Sequence, residues 1–309
     1  LSPLLHCLLH STPNPFSQNP NFFLEFHRRL LCFAERMGVG SSKTSSSDAM
    51  NSKFLEDNKR VFLLGGYDGI SVLSTVDCYS PLSDTKEPLR PMNFTRSYAA
   101  ASAFSGQIYV FGGGNGYMYY DTVESYNPQR NERAPCPSLS KKKGCLSGIT
   151  LGDNIYAIGG GDGMKCFSDV EMFDPAAWQW IPARPMIEKR QSGAVAVLKD
   201  TLYAAGGHDG NGNLNSVERF DPREGSWSRI SSMNIPRAGH SLVAMNEKLY
   251  AFGGFRGPNR VLSVEEYDHR LQDKDTLTET VERYKEGEGW SLVSRKGAGK
   301  RCFCSSVVM

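Results

Sequence analysis

The chain has 309 residues, 22% of them charged and 39% hydrophobic, enough for one large domain or two small ones. A net charge of +2 argues against a dedicated nucleic-acid surface or a polyanionic tail, and no apolar run reaches the roughly 18 residues of a helical membrane span. Its 31 glycines exceed the usual share of roughly 7%, and its eight cysteines form no CxxC and no zinc-like His/Cys spacing, so they read as reduced thiols of a cytoplasmic or nuclear protein.

In chain order, residues 1–58 form an extension. The opening "LSPLLHCLLHSTPNP" has no basic stretch, is broken by His and Pro, and makes a poor signal peptide. Beginning at Leu1, it is expected to be a fragment or an upstream translated stretch. "NFFLEFHRRLLCFAERM" sets Phe22, Phe26, Leu30 and Phe33 on one stripe and predicts a short amphipathic helix. "GVGSSKTSSSDAMNSK" reads as a flexible linker, so the extension is expected to be largely disordered. "MGVGSS" at 37–42 fits a myristoylation pattern only if translation starts at Met37.

From about residue 59 a repeat takes over. Gly-Gly recurs at Gly65-Gly66, Gly112-Gly113, Gly159-Gly160, Gly206-Gly207 and Gly253-Gly254, with a constant period of 47. The same period carries "VDCYSP" at 76, "VESYNP" at 123, "VEMFDP" at 170, "VERFDP" at 217 and "VEEYDH" at 264. Within a unit the apolar pattern has period two, and four strands are predicted: "SGAVAVLK", "TLYAAGG", "LNSVERFDP" and "GSWSRI". Four strands in roughly 45 residues describe one blade of an all-β propeller. The glycines fall where the second strand bends toward the axis and backbones crowd, a place that demands positive φ. "GGGNG" and "GGGDG" are not nucleotide loops, because each leads into a strand rather than a helix N-terminus.

These residues resemble the kelch repeat: the double glycine, the aromatic that follows it, and the fourth-strand tryptophans, for which Trp178, Trp180, Trp227 and Trp290 are the candidates. The resemblance runs from about 59 to 309. Through "YDTVESYNP", "KEGEGW" and "GKRCF" it comes closest to plant kelch proteins that carry a development-and-cell-death domain.

A sixth third-strand motif, "TVERYKEGEGW", begins near 280, and its Val281 follows Val264 by little more than a third of a period. The expectation is five complete-looking repeats plus a truncated sixth, with "KRCFCSSVVM" (300–309) returning as the first strand of the first blade to close the ring. Two arrangements stay open. Either the ring has six blades, as the resemblance implies, with one reduced to two strands, or "GWSLV" (289–293) completes blade five and 268–284 loop out.

Alternation of strand direction places the loops after each Gly-Gly and the loops between blades at one end. That end is expected to offer Tyr67, His208, Phe255 and Arg256 beside a ring of cations, Arg96, Lys143, Arg190 and Arg237, with Lys300 in the closing strand. Arginine and aromatic residues suit protein-binding hot spots and carboxylate recognition. By resemblance to kelch ubiquitin-ligase adaptors, these positions line a pocket for an acidic peptide. His208, His240 and His269 lack a Glu or Asp at metal-binding spacing, and Cys302 and Cys304 read as packing rather than a redox pair. The reading is therefore a non-enzymatic adaptor for a protein partner, without cofactor, metal or nucleic acid. A metal-dependent propeller enzyme and an actin scaffold are the alternatives.

Overall fold

In the computed structural model, which describes residues 60–80, 83–261, 263–268 and 305–308, the chain is an all-β propeller with five blades. Blade one contains β1 (Val61–Leu64), β2 (Val76–Ser80) and β3 (Thr85–Leu89). Blade two contains β4 (Ala100–Phe104), β5 (Gln107–Phe111), β6 (Val123–Asn127) and β7 (Glu132–Cys136). Blade three contains β8 (Ser147–Leu151), β9 (Asn154–Ile158), β10 (Val170–Asp174) and β11 (Gln179–Ala183). Blade four contains β12 (Ala194–Leu198), β13 (Thr201–Ala205), β14 (Val217–Asp221) and β15 (Ser226–Ile230). Blade five contains β16 (Ser241–Met245) and β17 (Lys248–Phe252). A short ribbon follows, β18 (Phe255–Arg256) with β19 (Asn259–Arg260), and then β20 (Val264–Asp268). The last strand, β21 (Ser305–Val308), pairs antiparallel with β1, Leu64 opposite Ser305 and Val61 opposite Val308. The C-terminal closure of blade one thus forms as the sequence implies, and the otherwise open inner edge of β1 is covered.

Each second strand has both faces against neighbouring blades, which is why its sequence is continuously apolar rather than alternating. Ile108, Val110 and Phe111 of β5 are fully buried. One layer of core lies at each seam: Phe62, Leu64 and Met92 meet Ile108, Val110 and Tyr126 between blades one and two. Ile158, Val170 and Met186 meet Leu202, Ala204 and Trp227 between blades three and four. Each such side chain contributes roughly 1.5–3 kcal/mol of burial free energy. The propeller's stability therefore resides in inter-blade seams.

Inner hairpins turn in two residues. Lys199 and Asp200 sit at φ 51° and 56° between β12 and β13, and Asn246 and Glu247 at 49° and 62° between β16 and β17. Paired positive φ values are those of a type I′ turn, whose twist matches the strands. Trp178 is not a fourth-strand residue. It holds the turn before β11 at φ 52° and is half exposed, while Trp180 and Trp227 occupy the strands. Trp290, the truncated sixth repeat, Lys300, Cys302, Cys304, His269 and residues 1–59 lie outside the described residues.

A candidate partner-binding face

Both loop families do emerge at one end of the ring, and backbone pairing joins them. Isolated antiparallel bridges link Ser97 with Gly114, Gly144 with Gly161, Gln191 with His208 and Ala238 with Phe255. The double glycines make this approach possible. Gly206 has φ +57°, and a Cβ there would lie 2.4 Å from the Arg237 carbonyl oxygen. Gly207 has φ +94° and donates its N–H to that same carbonyl at 2.7 Å. The same donation joins Gly66 to Arg96, Gly113 to Lys143 and Gly160 to Arg190.

Nearer the axis, Tyr98, Cys145, Ser192 and Gly239 share the 47-residue period and positive φ. Cys145 donates its N–H to the Tyr98 carbonyl, Ser192 to Cys145, and Gly239 to Ser192, at 2.8–2.9 Å. This chain of backbone hydrogen bonds forms a rigid collar across four blades.

The expected ring of cations is not at the surface. Arg96, Lys143, Arg190 and Arg237 are 0–2% exposed. Arg190 donates to Glu218 Oε1 from Nε and Nη2, and to the carbonyls of Gly206 and Ser216 from Nη1. Arg237 repeats the pattern on Glu265, Gly253 and Ser263, and Arg96 on Glu124, Gly112 and Thr122. Each glutamate also accepts a backbone N–H from the inter-blade loop: Asn93 to Glu124, Ser140 to Glu171, Ile187 to Glu218 and Asn234 to Glu265. The physical reason is pairing. A glutamate follows each cation at one fixed spacing, Glu124 after Arg96, Glu171 after Lys143, Glu218 after Arg190 and Glu265 after Arg237. A buried guanidinium with five donors also satisfies the carbonyls left at the Gly-Gly bend. Burial pushes the Arg96 guanidinium below its usual value, with Glu124 opposing that shift.

Blade three departs from the pattern. Lys143 Nζ lies 2.7 Å from Glu171 Oε1, at an angle that makes an ion pair without a directed hydrogen bond. Asp169 stands where the other blades have Thr or Ser, and it pairs with Lys141 instead. These four cations are therefore latches between loop and blade. The pairing register of β21 also makes Arg301, not Lys300, the sequence position equivalent to Arg96, and both lie outside the described residues.

The remaining predicted residues do sit on this end. Tyr67 is half-buried and donates its hydroxyl to the Gly69 carbonyl. His208 is half-buried, and its Nδ1 accepts the Gly210 N–H. Phe255 is half-buried and Arg256 exposed. Each loop tip in blades one to four is a tight turn held by a side-chain oxygen. Asp68 accepts from the N–H groups of Ile70 and Ser71, Asn115 from Tyr117 and Met118, Asp162 from Met164 and Lys165, and Asp209 from Asn211 and Gly212. Accepting those bonds holds the Asp68 and Asp209 carboxyls below their usual range.

The tips carry what the sequence reading missed. Ile70, Tyr117 and Met164, each four residues past a double glycine, are 90%, 97% and 91% exposed. The same position in blades four and five is Asn211 and Pro258. Of the seven large exposed apolar side chains among the described residues, six lie at this end: Ile70, Phe94, Tyr117, Met118, Met164 and Ile187. Trp178 alone lies at the other. The 47-residue period would have found the tips, had it been applied to the turn itself.

Among the described residues, no group of three or more His, Cys, Asp or Glu is placed to hold a metal ion. No helix there is long and apolar enough to cross a membrane.

Comparison with known proteins agrees with the architecture. The family described as KLHDC2/KLHL20/DRC7 Kelch-repeats domain matches residues 140–254. The Kelch motif matches residues 55–93, 95–140 and 236–283. No curated protein matches. A solved structure described as that of YjhT aligns at a TM-score of 0.54 with 17% identity, covering 62% of this chain and 72% of that one. At that identity the likeness speaks to the fold.

Proposed function

We propose that this chain, which belongs to the kelch-repeat β-propeller family, is a non-enzymatic protein-interaction module that takes its partner on the loop-tip end of the ring. One observation carries the reading: among the described residues, six of seven large exposed apolar side chains gather at that end, four of them (Ile70, Tyr117, Met118 and Met164) on turns fixed by Asx hydrogen bonds. Apolar side chains held in water on rigid turns cost little ordering entropy on binding, and an exposed apolar patch commonly marks an interaction surface. The partner segment is apolar where it meets Ile70, Tyr117 and Met164. Lys142, Lys165, Lys189 and Arg256 are cations at the same end that supply the polar rim. The buried latch arginines have no part in recognition, so an acidic peptide gripped by them is not the mechanism.

The finer readings rest on the resemblance. A ubiquitin-ligase setting is its implication for an adaptor, and kinship with the plant proteins of the development-and-cell-death type rests on the stretches quoted above. A cytoplasmic or nuclear setting rests on the sequence alone, whose eight cysteines form no CxxC.

The test is a comparison of proteins captured by the full chain and by an Ile70→Ser/Tyr117→Ser/Met164→Ser variant, with Trp178→Ser as control. Loss of a captured protein from the triple variant alone supports the reading. Equal capture by all three refutes this face.

A further inference from the structure

Two of the exposed apolar side chains on the loop-tip end carry sulfur. Met164 is 91% and Met118 56% exposed. Their turns are held by backbone and Asx hydrogen bonds. Asn115 Oδ1 accepts the Met118 N–H, the Met118 carbonyl accepts the Asn115 N–H, and Asp162 Oδ1 accepts the Met164 N–H. None of these bonds uses a thioether, so chemistry at either sulfur leaves the turn standing.

The other described sulfur atoms are shielded. Met92, Met186 and Met233 are 4–5% exposed. Their methyl groups lie under the double-glycine bends, where a Cβ on Gly65, Gly159 or Gly206 would come within 2.7–3.1 Å of the methyl carbon. Met172 and Met245 are half-buried on β10 and β16. Among the thiols, Cys78 and Cys166 are buried and Cys136 and Cys145 half-buried. Burial pushes all four up, so the thiolate, the form that reacts with oxidants, is scarce. A thioether needs no deprotonation before its lone pair attacks an oxidant. Access therefore selects the sulfur that reacts, and among the described residues the two accessible thioethers share the loop-tip face.

We infer that Met164 and Met118 are sites of reversible oxidation, at which a peroxide weakens partner binding. The inference rests on the reading that the loop tips meet the partner. In the reaction each sulfur gives two electrons to hydrogen peroxide. An S–O bond forms as the O–O bond breaks, and the second peroxide oxygen leaves as water with both protons. The product, methionine sulfoxide, is polar and is reduced back by methionine sulfoxide reductases. On this face it replaces an apolar contact by a group that is costly to bury unpaired. Losing the burial of one methionine corresponds to about tenfold or more in affinity.

The test treats the full chain with mild hydrogen peroxide and follows each methionine by peptide mass spectrometry. Met164 and Met118 are expected to gain oxygen first, while Met92, Met186 and Met233 stay reduced and the unfolding midpoint does not move. Binding is read on the protein that the untreated chain retains and an Ile70→Ser/Tyr117→Ser variant loses. Its retention is expected to fall about tenfold or more after treatment and to return with methionine sulfoxide reductases. Met118→Leu/Met164→Leu is expected to hold its own starting level through the same treatment. Oxidation of the buried methionines alongside the exposed ones overturns the inference. So does full retention with both sulfoxides formed, or an equal fall in the Leu variant. In each of these cases loss of capture by Ile70→Ser/Tyr117→Ser still upholds the loop-tip reading, which tells the two failures apart. Undiminished capture by Ile70→Ser/Tyr117→Ser refutes that reading and this regulation with it.

Discussion

Replacing Glu218 by Leu isolates the contribution of one inter-blade latch. Leu approximates the volume, so the cavity term is small and the loss reports polar pairing. Arg190 is 2% exposed, and in the variant it keeps its bonds to Gly206 and Ser216 and the longer contact with Glu188 at 3.4 Å, but loses its fully buried counter-charge. The N–H groups of Ile187 and Glu188 lose their acceptor at the same time. Breaking one partner of a buried pair costs about 3–5 kcal/mol, and two orphaned amides, about 1 kcal/mol or more each, carry the loss to the top of that range or beyond it. Urea unfolding followed by far-UV circular dichroism measures it. Since domain stabilities run about 5–15 kcal/mol, the variant is expected to be marginally folded. The double variant Arg190→Met/Glu218→Leu recovers part of the loss but stays below wild type, because the Gly206 carbonyl then loses its Arg190 donor and the Ser216 carbonyl keeps only the Gly206 N–H. A loss under about 1 kcal/mol for Glu218→Leu, with the fold intact, refutes the latch.

Other consequences are directly measurable. Lys143→Met is expected to cost less than Arg190→Met in the same urea assay, because Lys143 makes no directed hydrogen bond to the blade. His240 is buried with neither ring nitrogen hydrogen-bonded, at the position Leu146 holds two repeats earlier, so His240→Leu is expected to gain about 1–3 kcal/mol. Burial, with Arg237 and Arg190 nearby, pulls the His240 imidazole down from 6.5 to about 3. The unfolded chain therefore binds a proton there that the folded chain does not, and wild type loses stability relative to His240→Leu as pH falls from 6.5 toward 3. A parallel pH dependence of the two proteins contradicts this. Lys199→Asn/Asp200→Gly relieves positive φ at an exposed I′ turn and is expected to raise the unfolding midpoint by an amount equivalent to about 1 kcal/mol. Gly206→Ala is expected to cost upwards of about 2 kcal/mol in urea unfolding, from positive φ and the clash with the Arg237 carbonyl.

Architecture was legible because the physics of a blade repeats. A period of 47 and a double glycine at each axial bend suffice to write the strands, and the closing strand was visible from its likeness to other first strands. The cations misled for a particular reason. Their place on an inter-blade loop suggested exposure, yet Glu124, Glu171, Glu218 and Glu265 keep the same period behind them. A charge with a fixed opposite partner in every repeat is a mark of burial. Lys143 is the instructive exception, since Lys cannot reach the carbonyls that the fork of Arg does, and Asp169 changes with it. The exposed tips escaped notice because one apolar residue inside a glycine-rich loop has no signature until its equivalents are compared across blades. Whether Ile70, Tyr117 and Met164 point to water depends on the Asx turns that aim them, a property of geometry rather than composition.

The central claim is that the loop-tip end of this ring is where another protein sits. Photo-crosslinking tests it most directly: a benzophenone amino acid placed singly at positions 70, 117, 164 and 178 of the full chain, irradiated in living cells. A shared covalent adduct is predicted from 70, 117 and 164 and none from 178. Adducts from 178 alone, or the same adducts from all four positions, would contradict it.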